Sequence, residues 1–281
     1  MNFIHKAAAF VAARQWRRWV ELAKRPRETQ ERLLLHIINR NCATRFGRDH
    51  GFESIRSAGH YRTQVEIGDY ERLRPYVERI ENGASRELTD EPTLMFTMTS
   101  GSTGEPKLIP VTETAKNNHR DLTRLWYYRA YTEHPEFLSG KLLGIVSPAN
   151  EGRTTGGIPY GAASGLIYES SPRWIQNAYA VPYEVAQVKD FEAKYYLTMR
   201  LALAHYVTFF ATPNPSTILK LVEAADRFKG EIIQDIRDGT VAPRFKLHPE
   251  NRDDWLRKLP KNPSRARHLE KLVNEHGALR P

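Results

Sequence analysis

Between Thr97 and Pro110 the chain reads Thr-Met-Thr-Ser-Gly-Ser-Thr-Gly-Glu-Pro-Lys-Leu-Ile-Pro. Hydroxyls at Thr99, Ser100, Ser102 and Thr103 alternate with glycines at 101 and 104, and Lys107 follows within three residues. A polyphosphate needs such a set. Glycines let the backbone turn its N–H groups toward an anion, hydroxyls add donors, and a lysine adds a compact positive charge. Charge-assisted hydrogen bonds contribute about 1.5–3 kcal/mol each, so several converging donors are enough to hold a triphosphate. Composition alone does not make the assignment, because most Ser/Gly-rich stretches are plain loops. Order narrows it. Gly101 and Gly104 are three apart and Lys107 follows Gly104 by three, so the G-x-x-x-x-G-K-[ST] spacing of kinase-like and GTPase-like P-loops is not met.

The elements around this string must present it. Apolar runs at Leu94–Met98 and Leu108–Val111 predict a strand on either side. Thr112 is a fair N-cap for a helix running to about Tyr131. Upstream, 3–24 and 28–44 read as helices separated by Arg25-Pro26-Arg27, Tyr61–Glu66 as an extended piece, and Tyr70–Asn82 as a helix ended by Gly83. Downstream, Lys141–Val146 is a buried strand and 147–172 an irregular Gly/Ser-rich stretch. Tyr183–Ala204 is helical, His205–Ala211 a strand, and helices follow from Asn214-Pro215-Ser216 to Asp226 and over Lys229–Asp238. Two last helical pieces fall at about 249–259 and 264–276. Strands alternating with helices predict an α/β fold with a mostly parallel sheet layered with helices.

Composition bounds the function classes. The 281 residues are 40% hydrophobic, enough for a sizeable core in one or two domains, with a formal charge of +9. The basic residues are scattered among acids, and neither an RNA-binding aromatic signature nor a zinc-finger spacing accompanies them, so neither a nucleic-acid nor a membrane partner is expected. The N-terminus lacks the shape of a signal peptide, although Met1–Val20 has the composition of a basic amphipathic helix. A single cysteine, Cys42, excludes an intrachain disulfide and suits a reducing cytoplasm. The ten histidines show no metal-ligand spacing, and no metal site is expected among the side chains. His50, His60 and His119 lie within reach of the loop in sequence, where lone histidines are usually structural. Gly161-Ala-Ala-Ser-Gly165 is not the G-x-S-x-G elbow of a serine hydrolase.

The string from Thr99 to Lys107 resembles the phosphate loop of adenylate-forming enzymes. Three further blocks narrow the resemblance: Phe46-Gly-Arg-Asp-His-Gly-Phe52, Tyr70-Glu-x-Leu-Arg-Pro-Tyr-Val-Glu-Arg-Ile80, and Asn214-Pro-Ser-Thr-Ile-Leu219 with Asp235-Ile-Arg-x-Gly239. In this order, from about Cys42 to Gly239, they resemble the auxin-responsive Gretchen Hagen acyl acid amido synthetase family and its bacterial relatives. The resemblance implies an ATP- and magnesium-dependent ligase that adenylates a small carboxylic acid and passes the acyl group to an amino acid amine. Thr99, Ser100, Gly101, Ser102, Thr103, Gly104 and Lys107 would then hold the β- and γ-phosphates, and Mg2+ would bridge phosphate oxygens. The helix after the loop would border the acyl pocket through Arg124, Tyr127 and Tyr128, with Trp126 beside them. The commoner reading of such a stripe on a helix is that Trp126 and Tyr127 are core aromatics and Arg124 a surface charge. The stretch Thr154–Tyr160 with Ser164-Gly165 is either a further pocket wall or a plain surface loop.

The chain also departs from that pattern. The superfamily's adenine-stacking Tyr-x-x-(Ser/Thr)-Glu segment has no counterpart: Tyr168-Glu-Ser-Ser and Tyr131-Thr-Glu have the wrong spacing. Ile67-Gly68-Asp69 comes too early to be the ribose-binding Gly-Asp. Family members are much longer. Residues 1–281 therefore read as an incomplete N-terminal adenylation domain, with 1–45 as a peripheral helical pair and the small C-terminal domain absent. On that reading the chain is a fragment of a longer protein, a split gene product completed by a partner chain, or a truncated relative, and weak ATP binding with little or no amide synthesis is expected of this chain alone. The competing readings are a non-catalytic interaction protein that retains the fold and a basic binder of nucleic acid or membrane surfaces.

Overall fold

A computed structural model describes residues 3–99, 106–212, 214–245, 259 and 261–279. Its strands are β1 (Met95–Thr99), β2 (Lys107–Val111), β3 (Lys141–Gly144), β4 (Gly152–Arg153), β5 (Pro159–Gly161) and β6 (Val207–Ala211). Its helices are α1 (Phe3–Ala23), α2 (Pro26–Arg40), α3 (Arg45–Asp49), α4 (Ala58–Gln64), α5 (Tyr70–Glu81), α6 (Glu113–Glu133), α7 (Ala163–Ser170), α8 (Arg173–Gln176), α9 (Phe191–Leu203), α10 (Ser216–Arg227), α11 (Lys229–Asp238) and α12 (Pro263–His276). The chain divides into two compact units, Met1–Thr132 with Pro148–Ser170, and Glu133–Ser147 with Ser171–Pro281. None of the described helices is long and apolar enough to cross a membrane.

The first unit carries a four-stranded sheet in the order β2-β1-β5-β4. β1 pairs antiparallel with β2, Met95 opposite Val111 and Thr99 opposite Lys107. It pairs parallel with β5, Phe96 opposite Tyr160, and β4 returns antiparallel along β5. The α/β class holds, but this sheet is mixed rather than mostly parallel. Residues 100–106 join β1 to β2 and residues 154–158 join β4 to β5. Connections so short close hairpins, whereas a parallel crossover needs about a dozen residues or more.

Local chemistry sets the helix limits. Pro26 opens α2 at its first turn, where a missing N–H costs nothing. Asn41 ends it, its side-chain amide donating to the Ile37 carbonyl at 2.8 Å. Thr44, fully buried, caps α3 by accepting from the Gly47 amide at 3.0 Å. Asp69 caps α5 by accepting from Glu71 N at 3.0 Å. Two small cores lie beneath. Ile38, Phe52, Ile55 and Val65 form one, and Val77, Ile80 and Phe96 form the other. Residues 61–66, expected to be extended, fall mostly in α4, because Ser57 caps a helix there by accepting from His60 N at 3.2 Å.

The second unit pairs β3 with β6 in parallel, Leu143 opposite Phe210. One continuous core runs through α9, α10, α11 and α12. The single helix expected over Tyr183–Ala204 is two pieces: a 3-10 turn at Tyr183–Gln187 and then α9, which Asp190 caps by accepting from Ala193 N at 2.7 Å. Inside α9, Arg200 is fully buried and donates to the carbonyls of Asp235 at 2.8 Å and Thr240 at 3.2 Å. The Asp235 carboxylate accepts from the Tyr196 hydroxyl, from Thr240 Oγ1 at 2.6 Å and from Ala242 N at 2.7 Å. Burial, with the Asp235 carboxylate behind it, pushes the Tyr196 phenol far up, so it stays protonated and donates. Gly239, at φ 74°, ends α11 in the left-handed conformation that its lack of a Cβ permits. The helical piece expected at 249–259 lies, apart from Leu259, outside the described residues.

Candidate functional site

The hydroxyl- and glycine-rich string lies in sequence between β1 and β2 of the first unit. Ser100, Gly101, Ser102, Thr103 and Gly104 lie outside the described residues, so the site is seen through the two strand ends that carry it. Thr99 is exposed at the end of β1 and faces Lys107 across the last pair of the ladder. Because β1 and β5 are parallel, the carboxyl end of β5 and the start of α7 at Ala163 lie at the same edge of the sheet as the turn. Ligands of α/β proteins characteristically bind at that edge.

The N-terminus of α5 supports the exit strand. The Tyr70 hydroxyl accepts from Leu108 N at 3.1 Å and donates to Leu108 O at 3.0 Å. Burial raises its pKa, which keeps the proton in place for donation. The Lys107 ammonium stands 5.4 Å from the Tyr70 ring centroid and the Arg74 guanidinium 5.2 Å. Arg74 is already neutralised by two bonds to Glu71, at 2.6 and 2.8 Å. That pairing holds the Glu71 carboxyl below its ordinary range. Lys107 has no ion pair among the described residues.

A second support comes through Glu91. Its carboxylate accepts from Thr114 N at 3.0 Å and from the Thr114 hydroxyl, and it pairs with Arg40 at the end of α2. The Thr114 bonds, with Thr112 and Arg40, hold it down at about 2. Glu91 thereby ties the first turn of α6 to α2. Two of the sequence blocks meet nearby: Tyr76 donates to Asp49 at 2.8 Å and stands edge-on to Phe46 at 5.3 Å. His50 stacks on Phe46 at 3.9 Å with Nδ1 2.9 Å from its carbonyl, a packing role.

On α6, Arg124 lies against Gln15 at 3.2 Å and Asp121 at 3.4 Å. Tyr128 is 6.5 Å from Trp16 on α1. These two share the side of α6 turned to α1. Tyr127 is half-buried, and burial raises its pKa, so its phenol is a neutral donor. Leu122 and Trp126 stand on the exposed side at 58% and 51% exposure. Thr154–Tyr160 turns out to be the β4–β5 hairpin. Gly156 N donates to Glu81 O at 2.7 Å, and a Cβ on Gly156 would lie 2.4 Å from Gly83 N. That glycine exists for close approach to the end of α5. Tyr70 and Glu91 are the supporting residues that sequence reasoning assigned no role. Tyr70 opens a block singled out above, but its partner is 38 residues away.

The architecture is that of acyl acid amido synthetases. A solved GH3.15 acyl acid amido synthetase superposes with a TM-score of 0.79 at 22% identity, covering 92% of this chain and 47% of that one. A second, AtGH3.15 in complex with 2,4-DB, gives 0.73 at 22% identity, over 86% of this chain and 43% of that one. Residues 15–280 match the GH3 family N-terminal domain, and the chain belongs to that family. Among its relatives, indole-3-acetic acid-amido synthetase GH3.2 of Arabidopsis thaliana is 27% identical over 234 residues, 80% of this chain and 43% of that protein. Jasmonoyl–L-amino acid synthetase JAR4 of Nicotiana attenuata is 24% identical over 254 residues, 87% of this chain and 44% of that protein. The chain thus spans less than half the length of either.

Proposed function

We propose that this chain carries the phosphate-binding part of an ATP-dependent ligase that adenylates a small carboxylic acid and transfers the acyl group to an amino acid amine. The observation that carries the proposal is the string Thr99–Lys107 on the β1–β2 hairpin of a GH3 N-terminal domain. A carboxylate is a poor electrophile, being anionic and without a leaving group. Transfer to AMP removes the charge and supplies the leaving group, so the protein must hold the triphosphate still while the acid attacks the α-phosphorus.

Thr99, Ser100, Gly101, Ser102, Thr103, Gly104 and Lys107 hold the β- and γ-phosphates in this reading. Hydroxyls, glycine amides and one ammonium are donors, a set suited to an anion and not to a bare cation. Mg2+ would accordingly arrive with the nucleotide rather than be held by these side chains, and would supply charge neutralisation there. Arg124, Tyr127 and Tyr128 are proposed acid-side residues, Tyr127 as neutral donor and Arg124 as carboxylate partner after release from Asp121. Residues 1–281 form the N-terminal portion of the adenylation domain, with 1–45 as its peripheral helical pair. Adenine and ribose contacts come from sequence elsewhere, on this polypeptide or a partner chain.

Titration of the 281-residue chain with Mg·ATP tests the proposal. Weak, saturable binding is expected, falling about tenfold or more when Ser102 and Thr103 are both changed to alanine. No binding by the wild-type chain at millimolar ATP, or full binding by the double variant, would overturn it. Robust ATP–pyrophosphate exchange by the isolated chain with any carboxylic acid would refute the part assigned to outside sequence.

A further inference from the structure

β2 is the outer strand of its sheet, so a residue there whose backbone groups point away from β1 has no ladder partner on that side. Leu108, opposite Met98, is such a residue. One side chain satisfies both of its groups. The Tyr70 hydroxyl, oxygen and proton together, spans the Leu108 N–H at 3.1 Å and C=O at 3.0 Å, as a neighbouring strand would. The ring of the same tyrosine faces the Lys107 ammonium at 5.4 Å. Tyr70 is itself fixed, as the first residue of α5 behind the Asp69 cap. Arg74, the other cation at that ring, is committed to Glu71.

The geometry points to Tyr70 as a positioning residue for phosphate binding. It locks the first two residues after the turn, Leu108 through its backbone and Lys107 through its charge. This inference rests on the phosphate-binding reading above and deepens it. Binding an anion costs the ordering of the groups that hold it. A rigid exit strand lowers that cost, and a lysine held over a ring presents its charge without first having to be ordered. The hydroxyl must stay protonated to donate to Leu108 O, and the burial of Tyr70 favours that state. The role acts through Lys107 and Leu108, so Tyr70 needs no contact with the nucleotide.

The test uses the full chain with Mg·ATP and with inorganic tripolyphosphate as probes. Tyr70→Phe removes the hydroxyl and leaves the ring. Its affinity for both probes is expected to fall about fivefold, the loss of one net hydrogen-bonding group. Tyr70→Leu removes the ring as well and should lose about twentyfold. Backbone amide exchange read residue by residue gives a signature independent of nucleotide: Leu108 should exchange faster in Tyr70→Phe than in the wild type, while the amides of α9 stay unchanged. In a double-mutant cycle with Lys107→Gln, the losses from Tyr70→Leu and Lys107→Gln should be less than additive. If the wild-type chain binds neither probe, the phosphate-binding reading itself fails. If the wild type binds and Tyr70→Phe binds equally well, the reading stands and the positioning role is overturned. Additive losses in the cycle would overturn the link to Lys107, and a Leu108 amide unmoved in Tyr70→Phe would overturn the clamp.

Discussion

The two units use opposite devices to hold their helices. In the second unit α9 buries Ala193 and every residue from 196 to 202. The charged residue among these buried ones, Arg200, is locked to the end of α11 through backbone carbonyls. In the first unit α6 is 21 residues long and buries none. It is held by an end contact at Glu91 and by partly exposed contacts with α1. Both cores of that unit are small, and the proposed chemistry belongs to a turn between two strands. The contrast teaches where stability and function have been placed. Dense packing leaves a helix one arrangement, while the sheet edge proposed to admit a nucleotide and an acid is framed by hydrogen-bonded struts.

Phe96→Ala should have the largest effect on this contrast. Phe96 is fully buried in β1, and its loss should cost about 4 kcal/mol and loosen the hairpin that carries the turn. Chemical denaturation and Mg·ATP titration should show both losses together. Asp235→Ala should come next, at about 3 kcal/mol, because it strands the buried Tyr196 hydroxyl and the buried Ala242 amide without an acceptor. It should destabilise the chain without changing the nucleotide affinity of the molecules that remain folded. Equal effects of the two substitutions on affinity would break the division of labour.

Much of this division was legible in the sequence. Tyr70–Asn82 and Lys229–Asp238 announce their helices by period and by the glycine beyond, because caps and amphipathic spacing are local. The hairpin strands were legible for the same reason. Less legible were features decided at a distance. Gly152–Gly161 reads as an irregular loop until β1 supplies a partner for β5. A polar contact such as Tyr70 with Leu108 leaves no periodic trace. The break at Val188-Lys189 was hidden because a 3-10 turn and an α-helix share much of their composition. At the site, residue types and order carry the proposed phosphate class, while the contacts supporting the strand after the string, Tyr70 with Leu108, became visible only in three dimensions.

Glu91→Gln should have a smaller effect, about 1–2 kcal/mol, from weakening a charged hydrogen-bond acceptor. Its pH dependence gives the sharper test. The folded carboxyl lies near 2 against an ordinary 4.5, so its contribution is complete above 4.5 and disappears as pH falls toward 2. Urea midpoints of wild type and Glu91→Gln should therefore differ at pH 6 and draw together as pH falls from 4.5 toward 2, within whatever range the fold survives. A constant difference would remove Glu91 as the strut of α6. Asp49→Asn should be smallest, about 0.5 kcal/mol, since its bond to Tyr76 is exposed and an amide oxygen still accepts. A thermal melt should shift by no more than a degree or two.

Hydrogen–deuterium exchange of the whole chain with and without saturating Mg·ATP addresses the phosphate turn most directly. The account predicts slowed exchange centred on peptides covering residues 95–111, with the adjoining start of α5 following and α9 through α11 unchanged. Unaltered exchange across 95–111 under conditions where ATP is bound, or protection centred on the second unit, would contradict it.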